Sequence, residues 1–123
     1  MPADEDLASF IRSSFSSVWA LELMLHLKRS GEQDWSSAEL VEALRASDLV
    51  VAGGLRSLVA AGLAIEHEDG RVRFAPASAD LRRLADETES LYARKPDGVR
   101  RLIIASATDG LTAFADAFRL RRD

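Results

Sequence analysis

The segment over residues 35–76 most constrains what this chain can fold into. Two serines in it can each cap a helix, because a serine side chain at that position accepts a hydrogen bond from an otherwise unpaired helical N–H. Ser36 also forms a capping box with Glu39, three positions later. Ser47 precedes a second apolar-periodic stretch, and Gly62 follows it where helices commonly end. Two short helices joined by a tight turn are therefore predicted, over about 37–45 and 48–61.

A β-hairpin is predicted directly after the second helix. Residues 63–68 and 71–75 alternate apolar and polar side chains, which is typical of strands with one buried face. Asp69-Gly70 between them favours a two-residue turn, because both positions of such a turn need a positive φ. Pro76 ends the second strand.

The two-residue turn also predicts which strand residues face each other. Glu66 is expected opposite Arg73 and Glu68 opposite Arg71, so their charges cancel on one face of the hairpin. The opposite face would turn its apolar side chains to the core: Ile65, Val72 and Phe74.

Helices are predicted on both sides of this segment. The stretch over 17–30 is apolar in nearly every direction, so we expect it to be a central, surrounded helix. A short amphipathic helix over 6–14 precedes it. Three further helices are predicted over about 78–94, 99–107 and 109–121. The chain is interpreted as one domain of 1–123, with N-terminal and central helices over 1–30, a core over 31–76 and a C-terminal helical extension over 77–123.

Composition and charge narrow the class of protein. The chain has 123 residues, of which 47% are hydrophobic and 29% charged, as in ordinary globular domains. There is no cysteine, which excludes disulfides, thiolate metal sites and a cysteine nucleophile. The acidic N-terminus differs from a basic secretory signal, and the apolar run over 18–27 is too short to span a bilayer. We therefore expect a cytoplasmic protein without membrane contact, and 14 arginines against 2 lysines favour a bacterial genome rich in G and C.

Leu55-x-x-Leu58-x-x-x-Gly62-Leu63 followed by a two-stranded hairpin resembles the winged helix-turn-helix superfamily of bacterial transcriptional regulators. The resemblance covers about residues 18–76 and implies a mostly α fold with a small β-hairpin wing and extra terminal helices. Those terminal helices make the arrangement similar to MarR- and PadR-type regulators, although no motif selects one family. In such families the terminal helices build a homodimer. The second helix of the motif enters the major groove of double-stranded DNA, and the wing contacts the DNA backbone or the minor groove.

Carried onto this sequence, the resemblance predicts a set of DNA-contacting residues on the second helix and the hairpin. These candidates are Ser47, Asp48, Val50, Gly53, Gly54, Arg56, Ser57, Arg71 and Arg73. The terminal and central helices likewise supply candidates for the dimer interface, namely Phe10, Trp19, Leu23, Leu111, Phe114 and Phe118.

The residues themselves keep an alternative open. On a helical wheel, Val51, Leu55, Leu58 and Val59 are interpreted as inward-facing, which places Val50, Gly53, Gly54 and Ser57 on the outer face. That face lacks the side chains that read base edges, and only Arg56, on its flank, is suited to guanine or phosphate. Residues 1–76 carry 12 acids and 7 bases, a net charge opposite to that of most DNA-binding modules. The alternative function is a winged-helix module for protein–protein interaction.

Enzymatic and metal-binding functions are not predicted. The serines at 13, 14, 16 and 17 lack the Gly-x-Ser-x-Gly motif, and the sequence has no phosphate-binding glycine loop. Glu22 and His26 stand four residues apart but lack a third zinc ligand, so a hydrogen bond on the helix surface is the preferred interpretation. No cofactor is expected. A small-molecule pocket near Trp19, Met24 and Phe114 remains possible, without polar residues that would define a ligand.

Overall fold

The structure, a computed structural model, describes residues 2–105, with side chains from residue 5 onward. Its elements are α1 (Pro2–Ser14), α2 (Val18–Arg29), α3 (Ser37–Leu44), α4 (Asp48–Ala60), β1 (Ala64–Glu66), β2 (Val72–Phe74), α5 (Ala79–Arg94) and a helix over 96–105, here α6. The helix predicted over 109–121 lies outside the described residues. The prediction of a mostly α fold with a small β-hairpin is confirmed.

Serine caps fix the start of four helices, and for α3 and α4 the sequence predicts the serine. The side chains of Ser17, Ser36, Ser47 and Ser78 each accept a hydrogen bond from a backbone N–H of the first turn. The capping box between Ser36 and Glu39 is complete in both directions. These bonds satisfy N–H groups that have no partner inside the helix, and they stabilise each helix start by about 1 kcal/mol.

The ends of α2, α3 and α4 follow local chemistry, whereas the starts of α1 and α6 differ from the prediction. Gly31 and Gly62 have positive φ, of 68° and 77°, just after α2 and α4. Arg45 adopts the same left-handed conformation after α3, with φ of 54°, where glycine is more usual. The break predicted over 95–98 is shorter than expected, because Pro96 begins α6 in the first helical turn, where its missing N–H costs nothing. Helix α1 begins at Pro2 instead of near residue 6.

Helix α2 is the central element, as its composition predicts. Six of its twelve residues are buried: Ala20, Leu21, Leu23, Met24, Leu25 and Leu27. It packs closely against α4 and also contacts β2. The surrounding core takes one or two side chains from nearly every other element, including Ile11, Leu40, Leu58, Ala85 and Ile103. Burial of this apolar surface is the main force that holds the helices together.

The hairpin gains a third, minimal strand from the segment before α3. Trp35 pairs with Val72 through two backbone hydrogen bonds, each 2.8 Å long. The order helix, short strand, helix, turn, helix and hairpin over α2 to β2 is that of a winged helix, with α1, α5 and α6 added at its ends. Because Trp35 anchors β2, the hairpin is held against the body of the domain.

The register of the hairpin differs from the prediction by one residue. Ala64 pairs with Phe74, Ile65 with Arg73 and Glu66 with Val72. The loop holds three residues, 68–70, with Gly70 at φ of 88°, and not the two predicted. A one-residue slip moves every side chain of one strand to the other face. Ala64 therefore joins Val72 and Phe74 in the core, and Ile65 is 43% exposed, so its predicted burial is wrong.

Polar contacts connect α5 and α6 to the central helix. Lys28 of α2 lies 2.8 Å from Asp86 and 2.7 Å from Glu89 of α5. Tyr92 donates a 2.6 Å hydrogen bond to Glu22 of α2 and accepts one from Arg100 of α6. These contacts fix α5 and α6 to α2.

Candidate interaction surface around helix α4

The outer face of α4 is formed by small and apolar residues around one arginine. Leu49, in the first turn, is 85% exposed, and Val59, near the end, is 40% exposed. Arg56 lies exposed between them. The predicted inward orientation of Val59 is therefore wrong. Leu49 was not among the sequence candidates, although its spacing of seven from Arg56 puts both on one face of a helix.

Gly54 does not lie on this face, which corrects the prediction. It is buried against α2, where a Cβ atom would overlap the Leu23 Cδ1 atom and lie 3.5 Å from the Ala20 Cα atom. The missing side chain thus lets α2 and α4 approach closely. Gly53, its neighbour, is half-buried, and the nearest heavy atom to a Cβ there would be Arg56 Nη2 at 3.9 Å. Of the two glycines, only Gly53 remains a candidate for contact with a ligand.

Ser57 is likewise turned inward. Its hydroxyl donates a 2.7 Å hydrogen bond to the Ser14 carbonyl and accepts a 3.3 Å bond from the Ser16 N–H. The side chain therefore joins α4 to the connection between α1 and α2, and the predicted outward orientation is wrong. The other predicted residues of α4 lie near its first turn: Ser47 caps the helix, Asp48 is exposed and Val50 is half-buried.

The arginines of the hairpin do not pair as predicted. Arg73 Nε lies 3.2 Å from Asp34 Oδ1, and His67 Nε2 lies 2.8 Å from the same oxygen. Arg73 thus belongs to a cluster that fixes the hairpin to the segment before α3. The cross-strand pairs that would join Glu66 to Arg73 and Glu68 to Arg71 do not form, because the register has shifted. His67 is half-buried in this cluster.

Arg71 is exposed near two carboxylates. Its Nε atom lies 4.0 Å from Asp69 Oδ2. It also contributes to the lowered pKa of Glu39, which arises first from the hydrogen bond that this carboxylate accepts from the Ser36 backbone. The charge of Arg71 is therefore partly offset within the domain. Arg56 is different, because it makes no hydrogen bond or ion pair with any residue that the structure describes.

A groove of about 530 Å³ separates α4 from the hairpin. Its walls include the apolar side chains of Leu55, Val59 and Val72, and its polar lining includes Arg56 and Glu66. The surface over residues 36–72 carries six carboxylates against three arginines, a net charge of −3. The groove itself is apolar inside, and its lining holds one arginine, Arg56, and one carboxylate, Glu66.

The candidates for a dimer interface fall into three groups. Phe10 and Leu23 are buried in the core of the subunit itself, where Phe10 packs edge-on against Phe15. Trp19 is 41% exposed and lines a cleft with Val18, Glu22 and Leu44. The remaining candidates, Leu111, Phe114 and Phe118, lie outside the described residues. Of the three dimer candidates that the structure describes, only Trp19 is available on the surface.

The pair Glu22 and His26 is not joined by the hydrogen bond predicted on the helix surface. Glu22 Oε1 accepts from Tyr92, and the ring of His26 packs edge-on against Trp35 at 4.7 Å between centroids. Burial and the hydrogen bond to Glu22 raise the pKa of Tyr92 above its ordinary value of 10.0.

Within residues 5–105 no group of three or more His, Cys, Asp or Glu side chains is arranged to hold a metal ion. Among the described helices none is long and apolar enough to cross a membrane.

Comparison with known proteins gives one distant likeness. No family model matches the sequence, and no curated protein matches it. Among solved structures, the chain is similar to a crystal structure from Pseudomonas aeruginosa PA01, of a protein provisionally named a transcriptional regulator, with 23% identity over 94% of this chain and 86% of that chain and a TM-score of 0.46. At that TM-score we draw no conclusion from the likeness.

Proposed function

We propose that this chain is a cytoplasmic bacterial transcriptional regulator of the winged-helix type that binds double-stranded DNA as a homodimer. One observation carries the proposal: α3, a tight turn, α4 and the hairpin follow each other in winged-helix order, and Arg56 stands exposed and unpaired, among the described residues, at the middle of α4. In this fold the helix that corresponds to α4 lies in the major groove, with its first turns against base edges.

The exposed residues of α4 suit different parts of a DNA contact. Leu49, in the first turn, offers an apolar side chain of the kind that packs against the methyl group of thymine. Gly53 leaves space for the DNA backbone, because nothing lies within 3.9 Å of a Cβ atom there. Arg56 can hydrogen-bond to a phosphate or to guanine. Arg71 on the hairpin would add a phosphate contact, weakened by Asp69.

Arg56→Ala tests this proposal. A sequence is first selected from fragmented genomic DNA by the full chain at low salt, and the affinity of each variant is then measured by fluorescence anisotropy. We expect Arg56→Ala to weaken binding by about tenfold, because a good arginine contact to a base contributes about 1–3 kcal/mol. Arg94→Ala, which removes an exposed arginine at the end of α5, is the matched control and should leave the affinity unchanged. Equal affinities for both variants and the wild type would contradict the role of α4.

A second function is favoured by the charge of the same surface. The net charge of −3 over residues 36–72 repels phosphate, and Leu49, Val59 and Ile65 are exposed hydrophobic side chains of the kind found in protein interfaces. On these grounds the module would bind a protein through α4 and the hairpin. Gly53→Arg separates the two functions, since the position is open. The added cation should strengthen DNA binding, whereas its bulk should weaken binding to a protein seated on α4.

A further inference from the structure

One carboxylate oxygen attaches the hairpin to the segment before α3. Asp34 Oδ1 lies 2.8 Å from His67 Nε2 and 3.2 Å from Arg73 Nε. Among the described residues only the contact with His67 also has the geometry of a hydrogen bond, because Arg73 Nε is buried but not aligned with an acceptor. His67 directly follows β1, and its N–H closes the hairpin loop on the Arg71 carbonyl. The better-aligned contact of Asp34 is therefore made at the loop end of the hairpin.

The same segment also holds β2 through its backbone. Trp35, next to Asp34, shares two hydrogen bonds of 2.8 Å with Val72. A two-stranded hairpin is only marginally stable by itself, so these attachments help to fix its position on the domain. The side chains of Asp34 and His67 keep 37% and 31% of their surface exposed. Protons from solvent therefore reach this contact.

The contact between His67 and Asp34 changes strength with pH. Histidine is the side chain whose charge ordinarily changes between pH 5 and 8. Protonated His67 forms an ion pair with Asp34, whereas the neutral ring keeps at most a hydrogen bond. A hydrogen bond between two charged groups is roughly twice as strong as one between neutral groups. The ion pair is thus present at the acidic end of this range and is lost as the pH rises through it.

The charged groups on the elements around this contact include both signs. The carboxylates are Glu32, Asp34, Glu39, Glu66, Glu68, Asp69 and Asp86, and the cations are Lys28, Arg71, Arg73 and Arg82. Of the cations, Arg73 opposes protonation of His67 most directly, because both contact the same oxygen. The attraction to Asp34 acts over 2.8 Å and exceeds this repulsion, since two cations on one oxygen stay farther apart than each lies from it. The repulsion limits the size of the effect without changing its sign.

We propose that His67 and Asp34 form a pH-dependent attachment of the hairpin, which is tighter at about pH 6 than at about pH 8. Deprotonation of His67 leaves the loop end of the hairpin less firmly held, while the backbone bonds of Trp35 keep β2 in place. On the proposed DNA-binding function, on which this second step depends, Arg71 then loses its fixed position relative to α4. DNA affinity would fall as the pH rises.

Amide hydrogen exchange of the full chain tests the attachment without DNA. The protection factors of the Trp35 and Val72 N–H groups, which bond across the attachment, are measured at pH 6 and at pH 8. Leu25, in the buried part of α2, is the internal reference. We expect protection at Trp35 and Val72 to be about two- to fivefold higher at pH 6, as one partly exposed ion pair provides. Protection at Leu25 should change less.

Three variants assign the effect to this contact. His67→Gln and Asp34→Asn each keep a polar side chain but remove one charge of the pair, so both should abolish the difference between the two pH values. Glu32→Gln removes another carboxylate of the same segment and is the matched control, which should keep the difference.

The opposite results would overturn the proposal. Equal protection at both pH values in the wild type would exclude a pH-dependent attachment. A difference that persists in His67→Gln would assign it to another group, such as His26, the other histidine of the chain. An equal rise at Leu25 would mean that the whole domain is stabilised and that the hairpin is not released separately.

The effect on DNA is tested separately at constant salt. Affinity for the selected DNA should be about two- to fivefold higher at pH 6 than at pH 8 in the wild type, and equal at both in His67→Gln. The same difference in both proteins would contradict the regulatory step alone. If no DNA is bound at all, the proposed function fails while the hydrogen-exchange result stands.

Discussion

At the scale of single residues, two adjacent glycines in α4 occupy opposite environments. Gly54 lies against Leu23 and Ala20 of α2, whereas Gly53 has open space where a side chain would be. Each glycine costs about 1 kcal/mol of helix propensity relative to alanine. At Gly54 that cost is offset by close packing of two buried helices. At Gly53 nothing among the described residues offsets it, which agrees with a position kept small for a ligand.

Alanine at the two positions should therefore change stability in opposite directions. Gly53→Ala should raise the free energy of unfolding by roughly 0.5–1 kcal/mol through helix propensity alone. Gly54→Ala should lower it by roughly 1–2 kcal/mol, because Leu23, which is fully buried, must move to avoid the new methyl group. Urea unfolding followed by circular dichroism measures both. Two variants of equal stability would contradict the packing described for α2 and α4.

At the scale of elements, an ion-pair cluster joins α2 to α5. The hydrogen bond from Lys28 lowers the pKa of Glu89 from its ordinary value of 4.5. Burial lowers the pKa of Lys28, but hydrogen bonds and charge from Asp86 and Glu89 outweigh burial and raise it above 10.5. A carboxylate with a lowered pKa stabilises the fold above its ordinary pKa, and this contribution is lost as the pH falls through the lowered value. The contribution of Lys28 is present below 10.5 and is lost as the pH rises beyond the raised pKa.

Glu89→Gln should remove this contribution at neutral pH only. We expect the variant to lose roughly 1 kcal/mol of stability at pH 7, which is the upper range for partly exposed ion pairs. The loss should shrink as the pH falls through the lowered pKa of Glu89, because the wild-type carboxylate is then protonated too. Glu87→Gln removes the more exposed pair with Arg83 and is the control, with little effect expected at either pH. Thermal unfolding at pH 3, 5 and 7 gives the comparison, and a loss independent of pH would show that Glu89 acts by packing alone.

Features of the elements that depend on local contacts could be predicted from the sequence, whereas those that depend on distant contacts could not. The starts of α3 and α4 were predictable because Ser36 and Ser47 act on N–H groups within their own first turn. The register of the hairpin was not predictable, because Asp69-Gly70 fits a loop of either two or three residues. The choice between them depends on the distant Trp35, which pairs with Val72, and on which strand residues the core can accept.

The candidate site was predicted less completely than the helix starts. The stripe at 51, 54, 55 and 58 has the spacing of a buried helix face, but glycine does not register as apolar in such a pattern, so Gly54 was placed outside. Arg56 was identified correctly as the one exposed cation of α4, because its position follows from the helical period. Ser57 and Arg73 were misplaced, since their partners Ser14 and Asp34 lie far away in the sequence.

At the scale of the whole molecule, the proposed dimer needs an exposed surface on each subunit. Few of its candidate residues are both described and exposed. Phe10 and Leu23 are used within the subunit, which leaves Trp19 as the one described candidate for the proposed interface, while Leu111, Phe114 and Phe118 lie outside the described residues. Tryptophan is enriched among the side chains that dominate binding energies.

Trp19→Ala should therefore weaken dimer formation by at least tenfold, as expected of a tryptophan that carries more than 1.4 kcal/mol of the association energy. Sedimentation equilibrium at micromolar concentration should show a species of twice the 13.4 kDa chain mass for the wild type. Ile65→Ala removes a similarly exposed hydrophobic side chain from the hairpin and is the control. A wild-type chain that sediments only at 13.4 kDa would exclude the dimer.

The net charge of the whole molecule also limits how the proposed DNA binding can work. A net charge of −4 for the chain, and of −3 over residues 36–72, leaves little general attraction to phosphate. On the proposed function, binding must then depend on few contacts, mainly Arg56 and the partly offset Arg71 of each subunit of the proposed dimer. A protein that replaces few counterions has a shallow dependence of affinity on salt.

The salt dependence of DNA affinity is therefore the most direct test of the central claim, that α4 binds DNA through Arg56. Each phosphate contact contributes about −0.9 to the slope of log affinity against log salt concentration, so a dimer should give a slope of roughly −2 to −4. Arg56→Ala should make that slope less negative by about 2, one contact from each subunit, if Arg56 contacts phosphate. Failure to retain any DNA at 50 mM salt, or a slope that Arg56→Ala leaves unchanged together with unchanged affinity, would contradict the claim.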